Sequence, residues 1–160
     1  MEAERFRILT FMYQYHVPPR KRPKDDNGYF EILAQSVFQA GFSWDVVRRK
    51  WPQFKKAFHN FDVARVARMG TKDVAALMRD PGIIRNSAKI TAVMENAHIF
   101  IRLQQEHGSF KNFLASIRKQ PYSKRRDLFA KTFRWIGRTG AFHFFWCVGE
   151  KVPEWEERNQ

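Results

Sequence analysis

Three stretches of the chain carry residue types at spacings that could do chemistry. Tyr15 and Trp44 offer broad aromatic faces, and such rings can stack on a flat ligand or attract a cation. Either ring alone is more commonly a core residue, so only its setting decides. Gly137 and Gly140, with Arg138 and Thr139 between them, form a GxxG after a helical run. Such a turn can present unpaired backbone N–H groups and a helix N-terminus to an anion, although a plain turn is the commoner meaning of the pattern. Metal chemistry finds little support. Cys147 is the single cysteine, which excludes an intrachain disulfide and a Cys-only zinc site. His59, His98, His107 and His143 show no ligand spacing with Cys147, and His16 alone cannot build a tetrahedral site. All five histidines read as surface or packed residues, and neither a metal nor another cofactor is expected.

The charge balance points to the class of partner. Lys and Arg number 29 against 16 Asp and Glu, a formal +13 on 160 residues, which is more than solubility requires and suits a polyanion. From Ser109 to Gly149 there are nine Lys or Arg and one acid, Asp127, for a local +8. Smaller clusters are Arg20, Lys21, Arg22 and Lys24, then Arg48, Arg49 and Lys50. A basic surface without a ligand is the plain alternative. An anionic membrane fits less well, because these clusters fall in loops and helix ends rather than along one amphipathic helix. No apolar run reaches the ~18 residues of a membrane span, and the start, MEAERFRILTF, lacks the pattern of a signal peptide. An intracellular location is expected.

The elements that must position these residues read as helices almost throughout. With 44% hydrophobic residues, including 16 Phe and 5 Trp, the chain can fill a core, and its length predicts one domain over residues 1–160. Period-2 alternation is absent, while Gly and Pro are few and act as punctuation. A first helix carries Phe6, Leu9, Met12 or Tyr13, and His16, followed by a basic loop at 17–24. Asp25 or Asp26 caps a helix to Ala40 that Gly41 stops. Ser43 caps a short helix with Trp44, and Pro52 is placed to open another carrying Phe54, Ala57 and Phe58. Asp62 and Thr71 cap short helices, Asn86 caps the longest one to about Glu106, and Ser109 opens the next. A helix over Arg125 to Trp135, a hairpin at about 133–141, a last apolar helix from Thr139 to Val148 and an acidic tail at 150–160 complete an all-α fold.

A family resemblance rests on motifs in order along most of the chain: YQYH, then YFEIL…QAGFSW, AFHNFDVARVARM, DPGIIRNSAKITAVMENA and GSF. Together they resemble 3-methyladenine DNA glycosylase I, the Tag family, and GIIRN…KI with QAGFSW is the specific pair. WIGRTGA resembles the hairpin of the helix-hairpin-helix glycosylases, with Trp135 standing where the general hairpin has its first glycine. The resemblance implies a DNA repair enzyme that flips an alkylated base, expected to be 3-methyladenine, out of double-stranded DNA and hydrolyses its N-glycosidic bond. It implies a monofunctional enzyme, since Thr139 stands where a lyase would carry its nucleophilic lysine. A monomer in a bacterial cytoplasm fits the family. A non-catalytic binder of damaged or distorted DNA with the same fold is the alternative.

The same resemblance assigns roles to residues. Tyr15 and Trp44 hold the flipped base, and Phe42 fills the gap it leaves. Gln39 contacts DNA or the opposite base, or else holds the loop by hydrogen bonds. Gly41 belongs to the same turn. Gly137 and Gly140 supply backbone freedom at the hairpin, Arg138 adds charge and Thr139 caps the helix. The chain departs from the family at two places. Ser36 stands at the position of the base-reading glutamate, so a hydroxyl replaces a charge beside a cationic base; Glu31, on the same helix, points away from Ser36. The zinc ligands are missing, with Trp155 near the place of the distal histidine. Glu154, in VPEW, lies near where the wider superfamily carries a catalytic aspartate, and otherwise reads as part of the tail.

Overall fold

In the computed structural model, described here for residues 1–4, 7 and 19–160, local capping chemistry sets most helix starts. Among the described residues there are helices and no strands. The α-helices are α1 (Asp26–Gln39), α2 (Trp44–Ala57), α3 (Val63–Ala67), α4 (Thr71–Leu77), α5 (Ser87–His107), α6 (Phe110–Ile117), α7 (Tyr122–Thr132) and α8 (Arg138–Cys147). The side chains of Asp25, Ser43, Asp62, Asn86 and Ser109 each accept a backbone N–H at the start of α1, α2, α3, α5 and α6, filling a donor the first turn leaves unpaired. Phe6, Leu9, Met12, Tyr13 and His16 of the first predicted helix, with Val17 and Pro18 of the 17–24 loop, lie outside the described residues.

Tertiary packing overrides local expectation in four places. Pro52 does not open a helix but lies inside α2. Proline there removes one intrahelical bond, yet Arg48, whose carbonyl loses its donor, is exposed to water. Trp51 and Phe54 are buried on either side, with Trp51 stacked flat on Phe61 at 4.9 Å and Phe54 against Phe38 at 4.5 Å. That burial keeps α2 continuous. Thr71 is the first residue of α4 rather than its cap; Gly70 is the cap, and its N–H donates to Asp73 at 2.7 Å. Helix α7 begins at Tyr122, earlier than expected, and ends at Thr132. The segment after α8 is docked rather than a free acidic tail. Glu150 is buried against Arg118, and Arg125 and Arg126 donate to carbonyls of Lys151, Arg158 and Gln160.

Helix α5 runs through the middle, packed against α1, α3, α4 and α6, while α8 packs on α1 and α7. The main core is phenylalanine-rich: Phe100 stacks on Phe110 at 4.0 Å, and Phe129 meets Phe133, Phe144 and Phe145. A second, smaller cluster stands apart, made of Trp44, Phe142, Trp146 and Cys147, with Ile32, Tyr122, Val152 and Trp155 packed on it. It joins the start of α2 to α8 and the C-terminal segment.

Candidate functional site

The site has two parts, an aromatic enclosure around Trp44 and a hairpin between α7 and α8. Trp44 opens α2 directly after its cap Ser43, so the position of the ring follows from where the helix begins. It is 3% exposed, and its indole Nε1 is buried with no hydrogen-bond partner among the described residues. An unpaired buried donor costs ~1–3 kcal/mol, so among the described residues the fold leaves a polar group that a ligand or water can satisfy. The ring meets His143 edge-on at 5.4 Å, and His143 in turn lies 5.4 Å from Trp155. Burial, with the charge of Arg158 adding to it, pushes His143 down to about 4, so the imidazole is neutral at physiological pH. His143 belongs to this enclosure, which its sequence position did not signal. Tyr15, expected on the other side of the base, lies outside the described residues.

Ser36 is buried on α1, and its hydroxyl donates to the Ile32 carbonyl one turn back at 3.2 Å. Glu31 is turned to other partners, since it accepts from the Trp51 indole at 2.9 Å and pairs with Lys55. Glu154 lies one residue before Trp155, at the rim of the enclosure, where it pairs with Arg7 at 3.8 Å.

The turn from α1 to α2 is held at both ends. Gln39 donates to the Phe42 carbonyl at 3.1 Å while the Phe42 N–H donates to the Gln39 carbonyl at 2.7 Å. Gln39 thus holds the loop. Gly41 takes φ +83°, a conformation that favours glycine. Phe42 is pushed outward and left 40% exposed. Below it, Lys89 of α5 is buried, and its ammonium donates to the carbonyls of Phe38 and Ala40. The same group lies 4.9 Å from the Phe42 ring. A lysine between helical neighbours reads as a surface residue in sequence, so this clamp was missed; GIIRNSAKI contained it.

The hairpin is pinned by Asn96 of α5, which accepts from the Arg134 N–H at 2.7 Å and donates to its carbonyl at 3.1 Å. Helix α8 starts at Arg138 with Gly137 as cap and no capping side chain. Thr139 is therefore inside the helix rather than its cap, where it accepts from Asn159. Gly137 and Gly140 do not need glycine's freedom, since both have ordinary negative φ. Gly137 instead gives a bare face, with nothing within 4 Å of where a Cβ would stand. Arg138 is exposed, paired with Asp127 at 3.5 Å.

Much of the expected basic surface is spent internally. Arg118 binds Glu150 through both nitrogens, Arg20 donates to the Trp146 and Glu150 carbonyls, and Arg125 and Arg126 are buried. Lys111, Lys119, Lys124, Lys131, Arg134 and Arg138 remain exposed. Among the described residues no group of three or more His, Cys, Asp or Glu could hold a metal ion. Trp155 packs its ring on Phe142 at 5.3 Å. No helix among the described residues is long and apolar enough to cross a membrane.

An all-α chain with a helix-hairpin-helix element and a separate aromatic cluster around Trp44 defines the class. The chain belongs to the methyladenine glycosylase family, whose model matches residues 9–134. It is 37% identical to DNA-3-methyladenine glycosylase 1 of Escherichia coli (strain K12) over 98 residues, 61% of this chain and 52% of that protein. It is 33% identical to the DNA-3-methyladenine glycosylase of Haemophilus influenzae over 103 residues, 64% and 56% of the two chains. The aligned region spans about half the length of these relatives. A crystal structure of 3-methyladenine DNA glycosylase I superposes with a TM-score of 0.73 at 28% identity, covering 82% of this chain and 83% of that one. A variant of 3-methyladenine DNA glycosylase I in complex with 3-methyladenine gives 0.74 at 25% identity, with 87% and 84% covered.

Proposed function

We propose that residues 1–160 act as one DNA glycosylase domain that extrudes an alkylated base, 3-methyladenine, from double-stranded DNA and hydrolyses its N-glycosidic bond. The observation that supports this reading is Trp44, which lies in QAGFSW and is buried with an indole N–H that has no hydrogen-bond partner among the described residues. Phosphates bind at the Gly137–Arg138 end of α8, where uncapped amides and the helix dipole favour an anion. Phe42 enters the stack as the base leaves it. Trp44 is covered in the free protein, so the base gains its face only when neighbouring side chains move aside.

The C1′–N bond of the sugar then breaks, with its electron pair leaving on the base. A water oxygen bonds to C1′, and the second proton of that water goes to solvent or to Glu154. Products are a free base and an abasic site. The base leaves readily because methylation has already made it cationic, so stacking and exclusion of normal adenine do most of the work. The chain acts as a monomer in a bacterial cytoplasm.

A second reading has its own support. The Ser36 hydroxyl is turned back onto its own helix at Ile32, as suits a protein that binds distorted DNA without cutting. Incubation with methylated duplex DNA, followed by chromatography for free bases, separates the two. Release of 3-methyladenine supports the enzyme; tight duplex binding with no released base supports the binder.

A further inference from the structure

Trp135 sits in the hairpin at φ +59°, a left-handed conformation unfavourable for any bulky side chain, and its indole is 50% exposed. The other non-glycine residues with positive φ among the described ones, His59, Asn60 and Phe61, form a turn whose Phe61 ring is fully buried and stacked on Trp51. That packing offsets the strain within the fold. Trp135 has no comparable return, since its ring meets no other aromatic ring among the described residues. It walls an open groove of about 350 Å³ whose other lining residues are Ala40, Ala130, Phe133, Ile136 and Gly137. Ala40 precedes the turn that carries Phe42, so the groove runs from that turn to the bare backbone of Gly137. Lys131, Arg134 and Arg138 stand exposed near the hairpin, Arg134 paired with Glu95 at 3.3 Å and Arg138 with Asp127 at 3.5 Å in surface ion pairs that a phosphate can displace.

A groove lined by apolar side chains and polar backbone, with exposed Lys and Arg residues on the neighbouring turn, matches the chemistry of a nucleotide, with phosphate at the cations and backbone N–H groups and the sugar and base edge against the ring. We propose that Trp135 is a second aromatic DNA contact, packing on the sugar–base edge of a nucleotide near the extruded one. This inference rests on the DNA-binding reading and adds to it a residue whose strained backbone is kept for the partner rather than for the fold.

Trp135→Gly tests it with two readouts that should move independently. Glycine takes φ +59° without penalty, so the thermal midpoint should stay the same or rise. Duplex affinity should weaken roughly 5- to 50-fold, with the salt dependence unchanged, because a ring contact releases no counterions. Trp135→Phe, which keeps a ring, should retain most of the affinity. Wild-type affinity in Trp135→Gly would overturn the inference, as would a clear fall in its thermal midpoint, which would assign the ring to the fold. Failure of the wild type itself to bind duplex DNA at low salt would instead sink the DNA reading, and this inference with it.

Discussion

Lys89 spends its charge on the carbonyls of Phe38 and Ala40 and lies against the Phe42 ring, so one buried ammonium fixes both the end of α1 and the residue at the tip of the turn. Burial holds its pKa below the ordinary lysine value. Lys89→Met keeps the stem and removes the donor, leaving two carbonyls short of a partner. We expect it to cost about 1–3 kcal/mol in denaturant unfolding and to slow base excision more than it weakens binding to undamaged duplex. His143 gives a pH signature at the same scale. An unfolded histidine takes a proton near 6.5, but the folded one does so only at about 4. Between those values the unfolded chain binds more protons, so stability falls as pH drops through the window, by about 3 kcal/mol in all at ~1.4 kcal/mol per unit. Below pH ~4 this loss is complete; above ~6.5 it is absent. Urea unfolding at pH values across this window should show a shallower loss for His143→Phe than for the wild type. Trp44 and Phe42 stand in a motif that the sequence displays, whereas Lys89 and His143 do not stand out in it, because burial and not residue type gives them their roles.

The C-terminal segment is held to α6, α7 and α8 mainly by arginines reaching for carbonyls, with one ion pair at the centre. Glu150 is buried, while the Arg118 side chain is 43% exposed. This asymmetry orders two substitutions. Arg118→Ala strands a buried carboxylate and should cost about 3–5 kcal/mol. Glu150→Ala leaves a guanidinium that water can reach, and should cost about 1–3 kcal/mol. Equal losses in thermal or urea unfolding would contradict the assignment of burial to Glu150. Element starts were legible wherever a cap declared them, as Asp25, Ser43 and Asn86 did, since a cap acts within one turn. Continuity of α2 through Pro52 was not, because it depends on Trp51 and Phe54 being stacked on partners that local sequence cannot place. The docking of Arg20, Arg118, Arg125 and Arg126 was hidden for the same reason.

At the scale of the whole molecule, net charge points to an anionic partner but overstates the surface available to one. Counting the +8 segment and the hairpin together suggests about five neutralised phosphates; with Arg118, Arg125 and Arg126 engaged internally, about three to four are expected. The logarithm of duplex affinity should then fall against the logarithm of salt with a slope of roughly −3, measured by fluorescence anisotropy across a salt series. A flat response would remove DNA as the explanation of the charge. The hairpin and the QAGFSW turn were legible as motifs, but the bare Gly137 face and the clamping by Asn96 and Lys89 depend on α5 crossing beneath both. The central claim is that Trp44 receives the extruded base. Single-turnover release of 3-methyladenine from methylated duplex, compared between the wild type and Trp44→Ala, tests it most directly. The wild type should release the base, and Trp44→Ala should do so at a roughly 5- to 150-fold slower rate, corresponding to ~1–3 kcal/mol of lost stacking, with undamaged duplex bound equally by both. Equal release rates from the two proteins would contradict it.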